Sequence, residues 1–260
     1  MLFRSRHYVE RNYGGDVTCR KAQKIKGDAN ARKAVRNAAS FYQNLHCVGS
    51  KQVDEEDTFN QGAALTIFDI DDTLFHTTAK IHVKNREGKT VRTLSNSEFN
   101  DHKLPAHHHY DFSEFRSAHK FHHESKPIPR MIKKVKAIHQ NIIHKYPNSK
   151  IIMNTARTDF DKKSKFLMTF HKHGIPIQHI HVHRAGNEPG ATSPGEAKNM
   201  VLRRHLNAHP YARVAMYDDS HSNLRHFLKL RHEYPHTDFH AYHAKPDGSI
   251  QRMHPKDYEK

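Results

Sequence analysis

Two acidic pairs command attention: Asp71-Asp72 inside the run Asp69-Ile70-Asp71-Asp72-Thr73, and Asp218-Asp219. Each follows a short apolar run, Ala64-Leu65-Thr66-Ile67-Phe68 in one case and Val214-Ala215-Met216-Tyr217 in the other. A third apolar run, Ile151-Ile152-Met153, leads into Thr155. Carboxylates gathered in one place repel one another unless a cation joins them, and an oxygen-only donor set selects a hard ion. Magnesium held by a few carboxylates and a substrate phosphate is the ordinary case. Between Thr155 and Asp218, the only lysine outside the helix just after Thr155 is Lys198, early in a helix opened by Ser193-Pro194-Gly195-Glu196. There an ammonium and free helix N–H groups can both face a phosphate. The chemistry these residue types suggest is phosphoryl transfer.

Alone, each part has an ordinary explanation. Acidic pairs favour turns after strands, and a lysine on a helix is usually solvated. At roughly 5% per residue type, a chain this long holds about 0.03 matches to Asp-x-Asp-x-Thr by chance. The order of the parts, each behind a strand or at a helix start, is the more specific signal.

The elements that must position these residues alternate from Ala63 onward. The run 64–68 has the continuous apolar character of a strand covered on both faces. Lys80–Lys84 and Lys89–Thr93 flank Asn85-Arg86-Glu87-Gly88 as a hairpin. Residues 95–125, rich in His and Phe, read as a small cap. Apolar spacing predicts a helix over Pro127–Tyr146, then the strand at Ile151. Thr158 is expected to cap the next helix with Asp161, and Gly174 to stop it. A short strand through Ile180 and Val182 follows, then the Ser193 helix with Glu196 closing a capping box. Val214–Tyr217 and Phe239–Ala244 are the last core strands, separated by a helix near Leu224–Leu230. This alternation implies an α/β fold with a parallel sheet covered by helices on both faces, and ligands at the carboxyl ends of its strands.

Residues 1–60 differ in character: Arg20, Lys21, Lys24, Lys26, Arg32, Lys33 and Arg36 form a basic helical arm, followed by the acidic linker Asp54-Glu55-Glu56-Asp57. The domain proper spans 61–260. The net charge of +16, with 27 histidines left out, attracts polyanions, so the expected partner is a phosphorylated substrate, nucleotide or nucleic acid. Two cysteines, Cys19 and Cys47, make neither a disulfide framework nor a zinc cluster. No apolar run approaches membrane-spanning length and no signal peptide opens the chain, so a cytoplasmic protein with no membrane partner is expected. His179, His181 and His183 alternate along a strand and share one face. Histidines are abundant throughout, as at His107-His108-His109, so no single cluster reads as a metal site.

Asp69-Ile70-Asp71-Asp72-Thr73, Thr155, Lys198 and Asp218-Asp219 resemble, in order, the four motifs of the haloacid dehalogenase superfamily, over about residues 63 to 245. Thr155-Ala156-Arg157 also resembles the second motif of the polynucleotide 3′-phosphatases of that superfamily. The whole chain is similar to a group of tailed-phage proteins of this type, which implies a host cytoplasm. The resemblance implies a Rossmann-like parallel sheet with a small cap, and Mg2+ as cofactor. Asp69 is then the nucleophile, Asp71 the acid and base, and Thr155 and Lys198 the phosphoryl-holding groups. Thr73 and Arg157 are expected to contact substrate. Asp69, the Asp71 carbonyl and Asp218 are expected to hold the metal, with Asp219 supporting them. Two other readings follow from the same residues: a nucleic-acid-binding protein that keeps the fold without catalysis, and a phosphotransferase to an acceptor other than water.

Overall fold

The computed structural model of the protein describes residues 63–145, 148–254 and 257. The basic arm and linker of residues 1–60, with Cys19 and Cys47, lie outside the described residues. The first elements are β1 (Ala64–Phe68), β2 (Phe75–His76), β3 (Ile81–Lys84), β4 (Thr90–Leu94), α1 (Asn96–Asp101), β5 (His109–Asp111), α2 (Ala118–Glu124), β6 (Lys126–Pro127) and α3 (Pro129–Lys145). There follow β7 (Lys150–Thr155), α4 (Lys163–Lys172), β8 (His181–Arg184), α5 (Pro194–Ala208), β9 (Arg213–Asp218), α6 (His221–Lys229), β10 (Asp238–Ala244) and β11 (Ile250–Arg252).

The main sheet has six strands in the order β11-β10-β9-β1-β7-β8. All neighbours are parallel except β11, which returns antiparallel beside β10. From β1 the chain first builds outward through β7 and β8, then crosses to the other side for β9 and β10. This is the strand order of a doubly wound, Rossmann-like α/β sheet, and its switch point lies between β1 and β9.

Strand alternation sorts the core onto two faces. On one face Leu65, Ile67, Ile152, Val214 and Met216 pack with Leu202 and Leu206 of α5 and with Leu224 and Phe227 of α6. On the other, Phe68, Ile151, Met153 and Tyr217 pack with Met131 and Val135 of α3 and with Phe166 and Phe170 of α4. Each fully buried side chain of this kind contributes about 1.5–3 kcal/mol. Phe68 and Tyr217 stack with ring centroids 4.8 Å apart, fastening β1 to β9 on the α3 side.

Residues 79–116 form a smaller unit around a three-stranded antiparallel sheet, β4-β3-β5. Asn85 Oδ1 accepts from Glu87 N and Lys89 N in the hairpin turn, and Gly88 takes the left-handed conformation there (φ 77°). The stretch 95–125 is not one piece. His109–Asp111 joins the hairpin as a third strand, whereas α2 places Ala118 and Phe121 in the main core beside α4.

Several helix ends differ from expectation. The helix expected from Pro127 starts at Pro129, because Lys126–Pro127 pairs with Phe75–His76. Thr158 does not cap α4, which begins after Lys162 without a side-chain cap. Asp161 instead accepts from Ala118 N at 2.8 Å, tying α2 to the chain ahead of α4. Gly174 does end the helix region in the left-handed conformation (φ 71°). Ser193 caps α5 through Glu196 N, but the Glu196 carboxylate reaches past it to Thr192 N at 2.9 Å. His179 lies in a 3-10 turn, Ile177–His179, so only His181 and His183 of the expected trio lie on β8.

Candidate metal and phosphoryl site

The register of the central strands explains the site. Phe68 pairs with Tyr217, and Asp69 N donates to Tyr217 O at 2.9 Å, so Asp69 and Asp218 emerge side by side at the strand ends. They continue the alternating sets Leu65-Ile67 and Val214-Met216, and so fall on the face that α5 covers. Lys198, in the second turn of α5, is fully buried there. Its Nζ donates to Asp69 Oδ1 at 2.7 Å and to Asp218 Oδ2 at 2.6 Å. Asn154, near the end of β7, donates to the Lys198 carbonyl at 3.1 Å and fixes the helix against the sheet.

Asp69, Asp218 and Asp219 each offer an oxygen within 4.8 Å of the others, and a metal ion fits among them. Three carboxylates face one ammonium, so negative charge is in excess. Burial, reinforced by Asp218 and Asp71 and opposed by Lys198, pushes the Asp69 carboxyl up to about 7. Burial, then Asp218 and Asp69, drives Asp219 the same way. Burial alone would lower the Lys198 ammonium, but Asp218 and Asp69 outweigh it and hold it above the ordinary lysine value. A donor set of oxygens with uncompensated charge suits a hard divalent cation.

Asp218 is further held by Ser220 N at 2.9 Å and by Asn223 Nδ2 at 3.1 Å. Asn223 and Asn154 escaped the sequence reading. The visible sign of the first was Ser220, which caps α6 through Asn223 N and so fixes the turn carrying the amide.

The expected residues fall into two groups. Asp69, Lys198, Asp218 and Asp219 converge as described. Asp71 and Arg157 form a second, buried assembly: Arg157 Nε donates to Asp71 Oδ2 at 2.8 Å and Nη2 to Oδ1 at 2.6 Å. Arg157 also donates to Phe115 O at 2.7 Å and to Thr77 Oγ1 at 3.3 Å. Its guanidinium lies over the rings of Phe115 and Phe121, each at 4.8 Å. The Arg157 guanidinium is thus held by Asp71, Thr77 and the Phe115 carbonyl. The Asp71 carboxylate lies on Arg157 and is not part of the acidic triad. Thr155, the last residue of β7, is buried and accepts from Arg157 N at 3.2 Å. Thr73 is also fully buried, and its hydroxyl has no hydrogen-bond partner among the described residues.

The loop between these groups is tightly wound. Asp72 has a left-handed backbone (φ 54°), and Leu74 N and Phe75 N both return to Ile70 O. Asp72 accepts from Asn96 Nδ2 at 3.0 Å and from Thr77 N at 3.3 Å. A cleft of about 900 Å³ opens here, lined by Asp72, His76, Asp219, Arg225, His243 and Arg252 among others. No helix among the described residues is long and apolar enough to cross a membrane. No protein-family model and no curated protein matches the chain.

Proposed function

We propose that the protein is a magnesium-dependent phosphohydrolase of the haloacid dehalogenase type, acting through an aspartyl-phosphate on Asp69. The observation that carries this reading is the bridge from Lys198 Nζ to Asp69 and Asp218 at the ends of adjacent parallel strands, with Asp219 completing an acidic triad. A nucleic-acid-binding protein without a metal or catalysis would be opposed by three carboxylates at the edge that meets phosphate.

When bound by Asp69, Asp218 and Asp219, magnesium supplies positive charge to a phosphoryl group. Asp69 attacks phosphorus in line; the new Oδ–P bond forms as the P–O bond to the leaving group breaks. Asp71, one oxygen of which must leave Arg157 to carry the proton, protonates the leaving oxygen, then takes a proton from the water that hydrolyses the acyl phosphate and restores Asp69. Lys198 orients Asp69 and offsets phosphoryl charge. Thr155 holds a phosphoryl oxygen, and the Asp71 carbonyl adds to the metal's oxygens. Arg157 acts on Asp71 as a positioning residue, in place of the substrate contact expected from its motif. In this reading the 79–116 unit is the small cap.

The net charge of +16 and a cleft of nucleotide size beside Asp219 favour nucleotides or polynucleotide ends as substrates. The test is phosphate release from mononucleotides and from 5′- and 3′-phosphorylated oligonucleotides, with magnesium or with EDTA. Metal-dependent release that Asp69→Asn abolishes is expected. No release from any substrate, or release untouched by Asp69→Asn, overturns the proposal.

A further inference from the structure

A second convergence of metal-ligand side chains lies at the edge of the main sheet, away from the acidic triad. His183 of β8 and His205 of α5 meet with their Nε2 atoms 2.7 Å apart and their rings nearly perpendicular, 84° between planes. His181, two residues earlier on the same strand face, has its ring centroid 4.3 Å from that of His183. His181 is exposed, while His183 and His205 are half-buried. The groove they line holds about 460 Å³ and is open to solvent, so an ion has a path of entry.

We propose that His183, His205 and His181 form a binding site for a borderline divalent transition metal of the zinc class, with water completing the shell. Two imidazole nitrogens on a tetrahedral ion, each about 2.0–2.1 Å from it, stand about 3.3 Å apart. The His183–His205 pair stands ~0.6 Å short of that separation, and to admit the ion it must give up its shared Nε2 proton and turn both rings so that the lone pairs face the metal rather than each other. The three histidines do not bring their ring nitrogens within 4.8 Å of one another as the acidic triad does its oxygens, so His181 must rotate in from the exposed edge of the same face to complete the set. An all-nitrogen set selects zinc, nickel or copper over magnesium, so this site and the oxygen triad sort different ions.

The local electrostatics are mixed. Burial, then the neighbouring His181 and His205, keeps the His183 imidazole neutral and available as a ligand. Arg204 and Lys150 are nearby cations that oppose a metal, and Glu188, paired with Arg204, acts the other way on His183. The ion would join β8 to α5, whose Lys198 lies two turns from His205 along the same helix. The site is thus a cross-link between the sheet edge and the helix carrying the buried ammonium. It stands independently of the phosphohydrolase reading.

The experiment is calorimetric titration of the full chain with zinc in saturating magnesium, repeated with cobalt to read the visible bands of tetrahedral coordination. Wild type is expected to take up one ion at this site. His183→Ala and His205→Ala should each weaken it by at least about tenfold and remove the cobalt bands. His107→Ala and Asp218→Asn should leave both signals in place. His181→Ala, at an exposed position, should weaken binding without disturbing folding, and serves if the half-buried variants fail to fold. Absence of binding by wild type overturns the proposal. So does binding that survives in the His181, His183 and His205 variants, or that is lost with His107 or Asp218 instead.

Discussion

Arg157 grips both carboxylate oxygens of Asp71 across 86 residues of sequence, in a pocket walled by Phe115 and Phe121. A planar guanidinium meets a carboxylate in one orientation, which a lysine ammonium cannot reproduce. Arg157→Lys is therefore expected to lower kcat by about 100-fold while KM changes little. Arg157→Met leaves Asp71 buried without its partner and is expected to cost about 3–5 kcal/mol, read from denaturant unfolding. An unchanged kcat in Arg157→Lys would remove the positioning role.

Asp69→Asn separates chemistry from stability. The amide keeps the shape and can still accept from Lys198, while one of three crowded carboxylates loses its charge. In EDTA the variant is expected to be as stable as wild type, or more stable by about 1 kcal/mol, since the Asp69 carboxyl is already pushed towards its neutral form. Turnover should vanish. A marked drop in the unfolding midpoint would instead make Asp69 a structural anchor.

The small sheet has its own acid dependence. Asp111 receives Lys84 Nζ at 2.6 Å and Ser113 N at 2.8 Å, which hold its carboxyl well below the usual range. A carboxyl depressed by folding stabilises the protein above its unfolded value near 4, and that contribution fades as pH falls towards the folded value. Asp111→Asn should cost about 1 kcal/mol at neutral pH. The gap to wild type should close progressively below about pH 4. Urea midpoints measured across pH check this; a gap that persists in acid would place its origin in packing rather than charge.

Gly186 is a backbone gatekeeper for Arg157. A Cβ at this position would lie 2.3 Å from Ala156 O and 2.9 Å from Arg157 O, backbone atoms that cannot swing aside. Gly186→Ala is expected to destabilise by about 1–3 kcal/mol and to lower kcat by displacing the loop that aims the guanidinium. A double-mutant cycle with Arg157→Lys should show the two kcat losses to be strongly less than additive. Additive losses would mean that Gly186 acts on something other than Arg157.

Much of the sheet was legible because β1, β7 and β9 are dense apolar runs buried on both faces, and for β1 and β9 the first acid after the run marks the strand end. Ser193 announced α5 through its capping hydrogen bond and Pro194 through its fixed φ, both local signals. The failures are non-local. Thr158 had the spacing of a cap, but Asp161 was claimed by Ala118 N from a distant helix. The third strand of the small sheet, His109-Tyr110-Asp111, and the returning strand, Ile250-Gln251-Arg252, carry too few apolar residues for periodicity to register. The site divided the same way. The residue types at Asp69, Lys198, Asp218 and Asp219 could be read from chemistry and order, whereas the capture of Arg157 by Asp71 depends on a fold-level juxtaposition that no local spacing encodes.

The Lys198–Asp69 contact closes a separation of 129 residues. Contacts of that span form only after the intervening chain has collapsed, because the closure entropy must be met before they add stability. During synthesis, β1 with its acids, and even Asp71 with Arg157, precede the counter-charge and the second carboxylate pair. A nascent chain that ends before α5 holds an incomplete centre, so the acidic edge acquires its counter-charge only once α5 has emerged, and its second carboxylate pair only with β9.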